Sequence, residues 1–386
     1  MKIAMLLSNP FRPDPRVFKE AKSLTEAGYK VSIICWDRKK EYPRREKNSG
    51  IDIIRVQSVA STYGAGAKQI LSLPRFWQAA LSYLDDLHPD ILHCHDLDTL
   101  PIGWRYTKKH PAKLIYDAHE DYPSLMSLYL PKFMVAGLGR LEALLTKDVD
   151  IIITASTMLE NKFTREGRHR AVTIGNYPDL TPYEKLSHAD FLEVRGQINI
   201  PDSHLLVAYI GGFSRNRMLK YMIEAAKSLA DVHFAFWGDG HQREIVEAAG
   251  ESMQNVHYSG WLPYDKVPLY TSAADVIYYV INPDYPGAIY NAPNSVGNAM
   301  AAGSPIIAND LGDLGRIVRD TNAGILLETL TTESIIAAIQ MYRDPLLREQ
   351  IGFNGKQAAR DVYNWNRMED KLIGLYTEIT KNIFPN

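Results

Sequence analysis

Short apolar runs alternate with helical patterns along almost the whole chain. Lys2–Leu7 (KIAMLL), Lys30–Cys35 (KVSIIC), Asp52–Val56, Asp90–Cys94 (DILHC), Lys113–Tyr116 and Asp150–Thr154 are apolar at most successive positions. Runs of that kind predict strands covered on both faces. Helical patterns such as Pro15–Ala27 and Phe76–Leu87 separate most of them, so the expected sheet is parallel with crossover helices. The alternation lapses over the polar, proline-containing stretch 176–200. It restarts with Leu205–Ile210, Val232–Trp237, Val256–Tyr258, Asp275–Val280, Pro305–Ala308 and Gly324–Leu327. Helices are expected at Thr332–Tyr342, Leu346–Tyr363 and Asn366–Ile379. The pattern predicts two doubly wound α/β domains of similar size facing a cleft, over residues 1–180 and 181–365. The last helix, 366–386, is expected to pack back on the first domain.

Composition narrows the class. A chain of 386 residues exceeds one ordinary core, and 46% apolar with 23% charged residues is a globular balance. No apolar run reaches membrane-spanning length, and MKIAMLLSNP is too short before Arg12 to be a signal peptide. Two cysteines, Cys35 and Cys94, make a disulfide framework improbable and fit a reducing cytoplasm. The net charge of −2 conceals an asymmetry: residues 1–180 carry 26 Lys/Arg against 21 Asp/Glu, and the remainder 17 against 24. A more basic first half suits an anionic acceptor or a lipid surface. Nucleic acid is disfavoured, because no basic face is interleaved with aromatics. Along Pro131–Lys147, Phe133, Met134, Leu138, Leu141 and Leu145 recur at helical spacing beside Lys132, Arg140 and Lys147. Core packing is expected to explain most of that pattern, with a peripheral contact at the inner membrane face as the alternative.

Candidate chemistry concentrates in strand-to-helix loops, where doubly wound sheets bind ligands. NAPNSVGNAMAAGSPII, residues 291–307, reads as a polar loop, a helix of small residues started by Pro293 and Asn294, a stop at Gly303 and a buried strand. The free amides around Ser295–Gly297 at that helix start suit an anion such as a diphosphate. Tyr209–Arg217 (YIGGFSRNR) reads as strand, glycine turn, then cations opening a helix, with Lys220 one turn on. Glycines let a ligand approach the backbone, and Arg gives bidentate contacts to phosphate. No G-x-G-x-x-G follows the first strand, which argues against dinucleotide chemistry. In His93-Cys94-His95-Asp96 the two histidines share one strand face and Cys94 takes the other, so one ion cannot easily use all three. Asp96-Leu97-Asp98 has metal-binding spacing, but Asp98 is as easily the N-cap of a helix over Thr99–Lys109. His119, in the ionisable run YDAHEDY at a strand's end, is the candidate reacting-centre side chain.

These segments together resemble the retaining GT-B glycosyltransferases, specifically the large family 4 group that uses nucleotide sugars. DPRVFKEAKSLTEAGYKVSIIC, DILHCHD, TIGNYPDL, YIGGFSRNRMLKYMIEAA, FWGDGHQREIV, VHYSGWLPYDKVPLYTSAADV and AMAAGSPII follow in that family's order, over nearly the whole chain. The resemblance implies a GT-B fold of two Rossmann-like domains, and a donor, not a cofactor, as bound nucleotide. It places His119 at the transferred sugar and Gly211–Gly212 at the distal phosphate. Gly212 and Met218 stand where the family has Arg and Lys, so Arg215 or Arg217 is the expected replacement, Arg217 being favoured, with Lys220 nearby. Gly238, and Trp261 and Leu262 in the Gly260–Pro263 turn, fall on the nucleotide side, the turn reading a uracil-type base. The family's paired glutamates are replaced by Tyr290 and Asn298, leaving sugar contacts to Asn294 with Asn291, Ser295, Val296 and Gly297 around it. Asn9, Phe11, Arg16, His95 and Asp96 fall on the acceptor side.

The expected activity is retaining transfer of a hexose, glucose-type, from a UDP-sugar to a glycan or lipid-linked acceptor, with no metal and with domain closure excluding water. A sugar-nucleotide epimerase and a non-catalytic nucleotide-sugar-binding homologue are the alternatives.

Overall fold

The computed structural model describes all residues except 13, 58–71, 166–169, 292–293 and 384–386, so Pro293 lies outside the described residues. The chain forms two compact units, Met1–Gly175 with Met368–Asn386, and Asn176–Arg367.

The first unit is built on eight strands: β1 (Lys2–Leu7), β2 (Lys30–Trp36), β3 (Arg45–Asn48), β4 (Ile51–Val56), β5 (Ile91–His95), β6 (Lys113–Ala118), β7 (Ile151–Thr154) and β8 (Ala171–Thr173). Their order is β3-β4-β2-β1-β5-β6-β7-β8. All neighbours are parallel except β3, which turns back on β4 through Ser49 and Gly50, both at positive φ. The parallel strands are apolar and buried because helices cover both faces. The direction of winding reverses between β1 and β5, so the crevice expected at such a switch point opens at Leu7–Asn9 and His95–Asp96.

The second unit has six parallel strands: β9 (Leu205–Ile210), β10 (Val232–Trp237), β11 (Val256–Tyr258), β12 (Val276–Tyr279), β13 (Ile306–Asn309) and β14 (Gly324–Leu327). Their order is β11-β10-β9-β12-β13-β14, with the reversal between β9 and β12. The helix Asn294–Ala302 starts beside that reversal and stops at Gly303 (φ 75°), where a left-handed residue is needed. Gly352 and Gly355, on the helix Pro345–Asp361, let that helix press on Gly303 and Met300.

Three expectations change. The stretch 176–200 is not merely a break: it holds helices Thr181–Glu184 and His188–Gln197, the second closed by a Ser187–Asp190 capping box. Asp98 is not an N-cap; the helix is Leu100–Thr107, and the Thr99 hydroxyl bonds back to the His95 carbonyl at 2.7 Å. The helix Lys132–Leu145 is packed only in part: of its five expected apolar positions Leu145 is buried, Met134, Leu138 and Leu141 are half-buried, and Phe133 is 76% exposed. Among the described residues, no helix is long and apolar enough to cross a membrane.

Candidate active site

In the first unit, strand register builds a buried ionisable cluster. His95 is paired with Asp117 across β5 and β6, and His93 lies two residues back on the same face, its ring stacked 4.2 Å from that of His95. The helix Pro15–Glu26 lays Arg16 and Glu20 against them, one turn apart. Asp117 is the hub. Its Oδ1 accepts from Arg16 at 2.9 Å, while its Oδ2 lies 3.2 Å from His119 Nε2, 3.2 Å from His95 Nδ1 and 3.4 Å from His93 Nε2. Arg16 also donates to the Ile174 carbonyl (2.9 Å) and lies 3.2 Å from Glu20.

Burial and charge divide the protons. Burial raises the Asp117 carboxyl, but Arg16 and the imidazoles outweigh it and hold the group well below the usual range. Burial, then the neighbouring Asp117 charge, pushes Glu20 up to about 8, so Glu20 is predominantly protonated at neutral pH. Desolvation lowers His93 and His95, which stay neutral. His119 goes the other way: burial opposes its cation, and Asp96 and Asp117 overcome that to raise it to about 10. Asp96 holds His119 from a second side, accepting its backbone N–H at 3.2 Å from a left-handed backbone (φ 61°). That conformation, uncommon outside glycine, marks a constrained turn.

His119 and Asp96 are therefore half-exposed at the strand ends, whereas Arg16 and His95 are buried inside the cluster. Phe11 also turns inward, packing near Phe18. Asn9 closes the first loop, accepting from Phe11 N at 2.7 Å and donating to Asp14 at 2.8 Å. Ligand atoms of Glu20, His93, His95 and Asp117 lie within 4.8 Å of one another, a spacing that suits a metal ion. The Arg16 guanidinium already supplies positive charge there, and a divalent cation would have to share the pocket with it.

In the second unit the strand ends close on one another through glycines. A Cβ on Gly238 would lie 1.9 Å from the Gly211 carbonyl oxygen, and Gly238 N–H donates to the Gly260 carbonyl at 2.7 Å. Gly211 takes φ 147°, and Ser295 donates to the Ile210 carbonyl at 2.9 Å, tying the start of the helix Asn294–Ala302 to the end of β9. Val296 and Gly297 are buried, Ser295 and Asn298 half-buried, and Asn294 exposed. Arg217 is not at a helix start, since that helix begins at Leu219; instead it bridges to Ile281 and sets its guanidinium 4.6 Å above the Tyr279 ring. Tyr279 donates to Asn291 at 3.1 Å, and Tyr209 to the Gly212 carbonyl at 2.8 Å. Arg217, Asn291, Gly211, Gly212 and Ser295 thus ring the ends of β9 and β12. Arg215 and Lys220 are exposed, the Lys220 ammonium lying over Tyr221. Tyr290 sits half-buried in the turn Ala288–Tyr290. Leu262 is half-buried and Trp261 is 59% exposed after Gly260 (φ 75°).

Sequence reasoning missed Glu20, Tyr376 and Tyr183. Tyr183 donates to Asn298 Oδ1 at 3.0 Å across 115 residues, and Tyr376 meets His93 at 2.7 Å across 283. No local pattern announces either contact.

Two doubly wound, mainly parallel sheets, each with polar residues at the strand carboxyl ends, form the fold of the GT-B class. The model described as Glycosyltransferase Family 4 matches residues 16–181, and that described as Glycosyl transferases group 1 matches 204–344. The chain belongs to the GT-B, family 4-like glycosyltransferases and is a transferase. It is 22% identical over 381 residues to an uncharacterized glycosyltransferase of Methanocaldococcus jannaschii, covering 92% of this chain and 91% of the relative. In fold it is similar to sucrose-phosphate synthase from Thermosynechococcus elongatus, with a TM-score of 0.84, 20% identity, and 99% and 100% of the two chains covered. The Anabaena protein HepE, solved in complex with UDP-glucose, aligns with a TM-score of 0.74 at 14% identity over 98% and 100%.

Proposed function

We propose that this glycosyltransferase moves a hexose, glucose-type, from a UDP-sugar to a glycan or lipid-linked acceptor with retention at the anomeric carbon. The observation that carries the reading is the anion cradle of the second unit. The N-terminal amides of the nine-residue helix Asn294–Ala302, the glycine turn at Gly211 and the Arg217 guanidinium gather at the ends of β9 and β12. Positive helix ends and an Arg fork suit a diphosphate. The bond from the anomeric carbon to the distal phosphate oxygen breaks, and the charge growing on the diphosphate is met by the Ser295–Gly297 amides and Arg217 without a metal. The bond to the acceptor oxygen forms on the same face, and the released phosphate takes the acceptor's proton. His119, held as a cation by Asp96 and Asp117, orients the sugar. The exposed Trp261 and Tyr264 (53%) offer a stacking surface for the base, and Asn298 bonds the ribose. The UDP complexes of HepE support the choice of base.

A thermal-shift panel of UDP, GDP and ADP sugars tests this, UDP-sugars giving the largest stabilisation. Stabilisation by GDP-sugars alone would overturn the base assignment.

A second observation bears on the acceptor. The helix Lys132–Leu145 presents exposed Phe133 and Leu144 beside Lys132 and Arg140, with Tyr129 exposed just before it. An apolar stripe flanked by cations suits an anionic membrane surface, where a lipid-linked acceptor would reside. Flotation with anionic vesicles should carry the protein, and Phe133→Asp should weaken it. Equal recovery with neutral vesicles, or none with either, would sink that reading.

A further inference from the structure

Tyr376 lies on the last helix, Trp365–Ile383, and is wholly buried in the first unit against Tyr29 (ring centroids 5.8 Å). Its hydroxyl is 2.7 Å from His93 Nδ1. His93 is itself wholly buried and kept neutral, so its ring carries a single proton. On the other side of the ring, Nε2 faces two carboxyl oxygens, Asp117 Oδ2 at 3.4 Å and Glu20 Oε2 at 3.9 Å. A bare lone pair on Nε2 would oppose the Asp117 anion, so the proton belongs there and Nδ1 accepts from Tyr376. Burial, then the nearby Glu20 and Asp117, keeps the tyrosine protonated and able to donate.

We propose that Tyr376 is a positioning residue for His119. Its hydroxyl fixes the ring setting and tautomer of His93, and His93 in turn fixes the Asp117 carboxylate that orients the His119 ring. The relay runs from the Tyr376 hydroxyl to His93 Nδ1, from His93 Nε2 to Asp117 Oδ2 as a charge contact at 3.4 Å without hydrogen-bond geometry, and from His119 Nε2 to the same oxygen at 3.2 Å. Every member except His119 is buried. Neutral His93 and anionic Asp117 have no water to exchange with, so a displaced ring has no cheap alternative partner. The other charged or titratable groups around His119 are Arg16 and Glu20 on the first helix, His95 on β5, Asp96 and Asp98 after it, and Glu120. Among the described residues, the recorded hydrogen-bond partner of His93 Nδ1 is the Tyr376 hydroxyl, at 2.7 Å. This inference rests on the proposed role of His119, and its test separates the two.

The experiment uses the full chain with ¹⁵N-labelled histidine and the variants Tyr376→Phe, His93→Asn and the double. In the unaltered protein, His93 should show the Nε2–H tautomer from pH 6 to 8; an Nδ1–H tautomer would overturn the proposal with no variant needed. Tyr376→Phe retains the ring that packs on Tyr29. It should split the His93 ring signals into more than one setting and lower kcat roughly three- to tenfold, with donor KM unchanged. The double variant should lose no more than His93→Asn alone; additive losses would overturn the relay. Split His93 signals with an unchanged kcat would support the positioning and overturn instead the assignment of His119 to the reaction. Unchanged signals and unchanged kcat would dispose of the inference.

Discussion

Glutamine in place of Glu20 should leave the protein more stable than the unaltered chain at pH 7 and above. Burial, then the Asp117 charge, raises the Glu20 carboxyl from an ordinary 4.5 to about 8. For a carboxyl shifted upward, the folded state holds a proton that the unfolded state gives up. The stabilising contribution is therefore complete below pH 4.5 and is lost steadily as the pH rises to about 8. At about 1.4 kcal/mol per pH unit, keeping this proton costs roughly 3 kcal/mol at pH 7 and about 5 kcal/mol once pH passes 8. Glutamine avoids the cost with the same shape. Its oxygen can face Arg16, as Glu20 Oε1 does at 3.2 Å, and its amide carries no charge to oppose the neighbouring Asp117. Urea unfolding of both proteins at pH 5, 6, 7 and 8, followed by fluorescence, measures the difference. It should be small at pH 5 and widen in favour of the variant at each step. A gap that does not change with pH, or a variant less stable at pH 8, refutes the protonated-acid account.

Arg217→Ala should lower kcat about a hundredfold with the fold intact, because charge on the leaving diphosphate loses its guanidinium; turnover within twofold of the unaltered enzyme removes Arg217 from the reaction. Asn298→Ala should weaken UDP about tenfold by calorimetry, and Tyr183→Phe should weaken it less, since Tyr183 holds only the Asn298 amide at 3.0 Å; equal affinity for UDP in Asn298→Ala ends the ribose assignment. Gly238→Ala should lose several kcal/mol of stability or fail to fold, because its methyl would sit 1.9 Å from the Gly211 oxygen; a melting temperature unchanged by that substitution contradicts the packing of the three strand ends.

The parallel strands were legible because burial on both faces leaves a local signature, as in KIAMLL and LLVAYI. The strand Arg45–Asn48 was not: REKN is polar throughout and becomes a strand only by pairing with Ile51–Val56. His119, Ser295 and Gly211 could be picked out because a strand end, a small-residue helix start and a glycine turn each carry chemistry in sequence. That Arg16 and His95 would be buried around Asp117 was not legible, since nothing local says that Asp117 will draw them inward. Phe133 went the opposite way and stands exposed: helical spacing predicts one apolar face but not how far a core covers it.

The same last helix also sets an order of events during synthesis. The first unit has its eight strands once residue 173 has been made, yet Tyr376 is added more than two hundred residues later. Until then His93 Nδ1 lacks its donor and the ring of Tyr29 lacks the ring it packs on. The second unit, continuous from Asn176 to Arg367, can be completed first. The half that carries His119 is thus begun first and finished last, so a chain cut short just after Arg367 would keep its nucleotide-side unit whole while leaving the His119 support open.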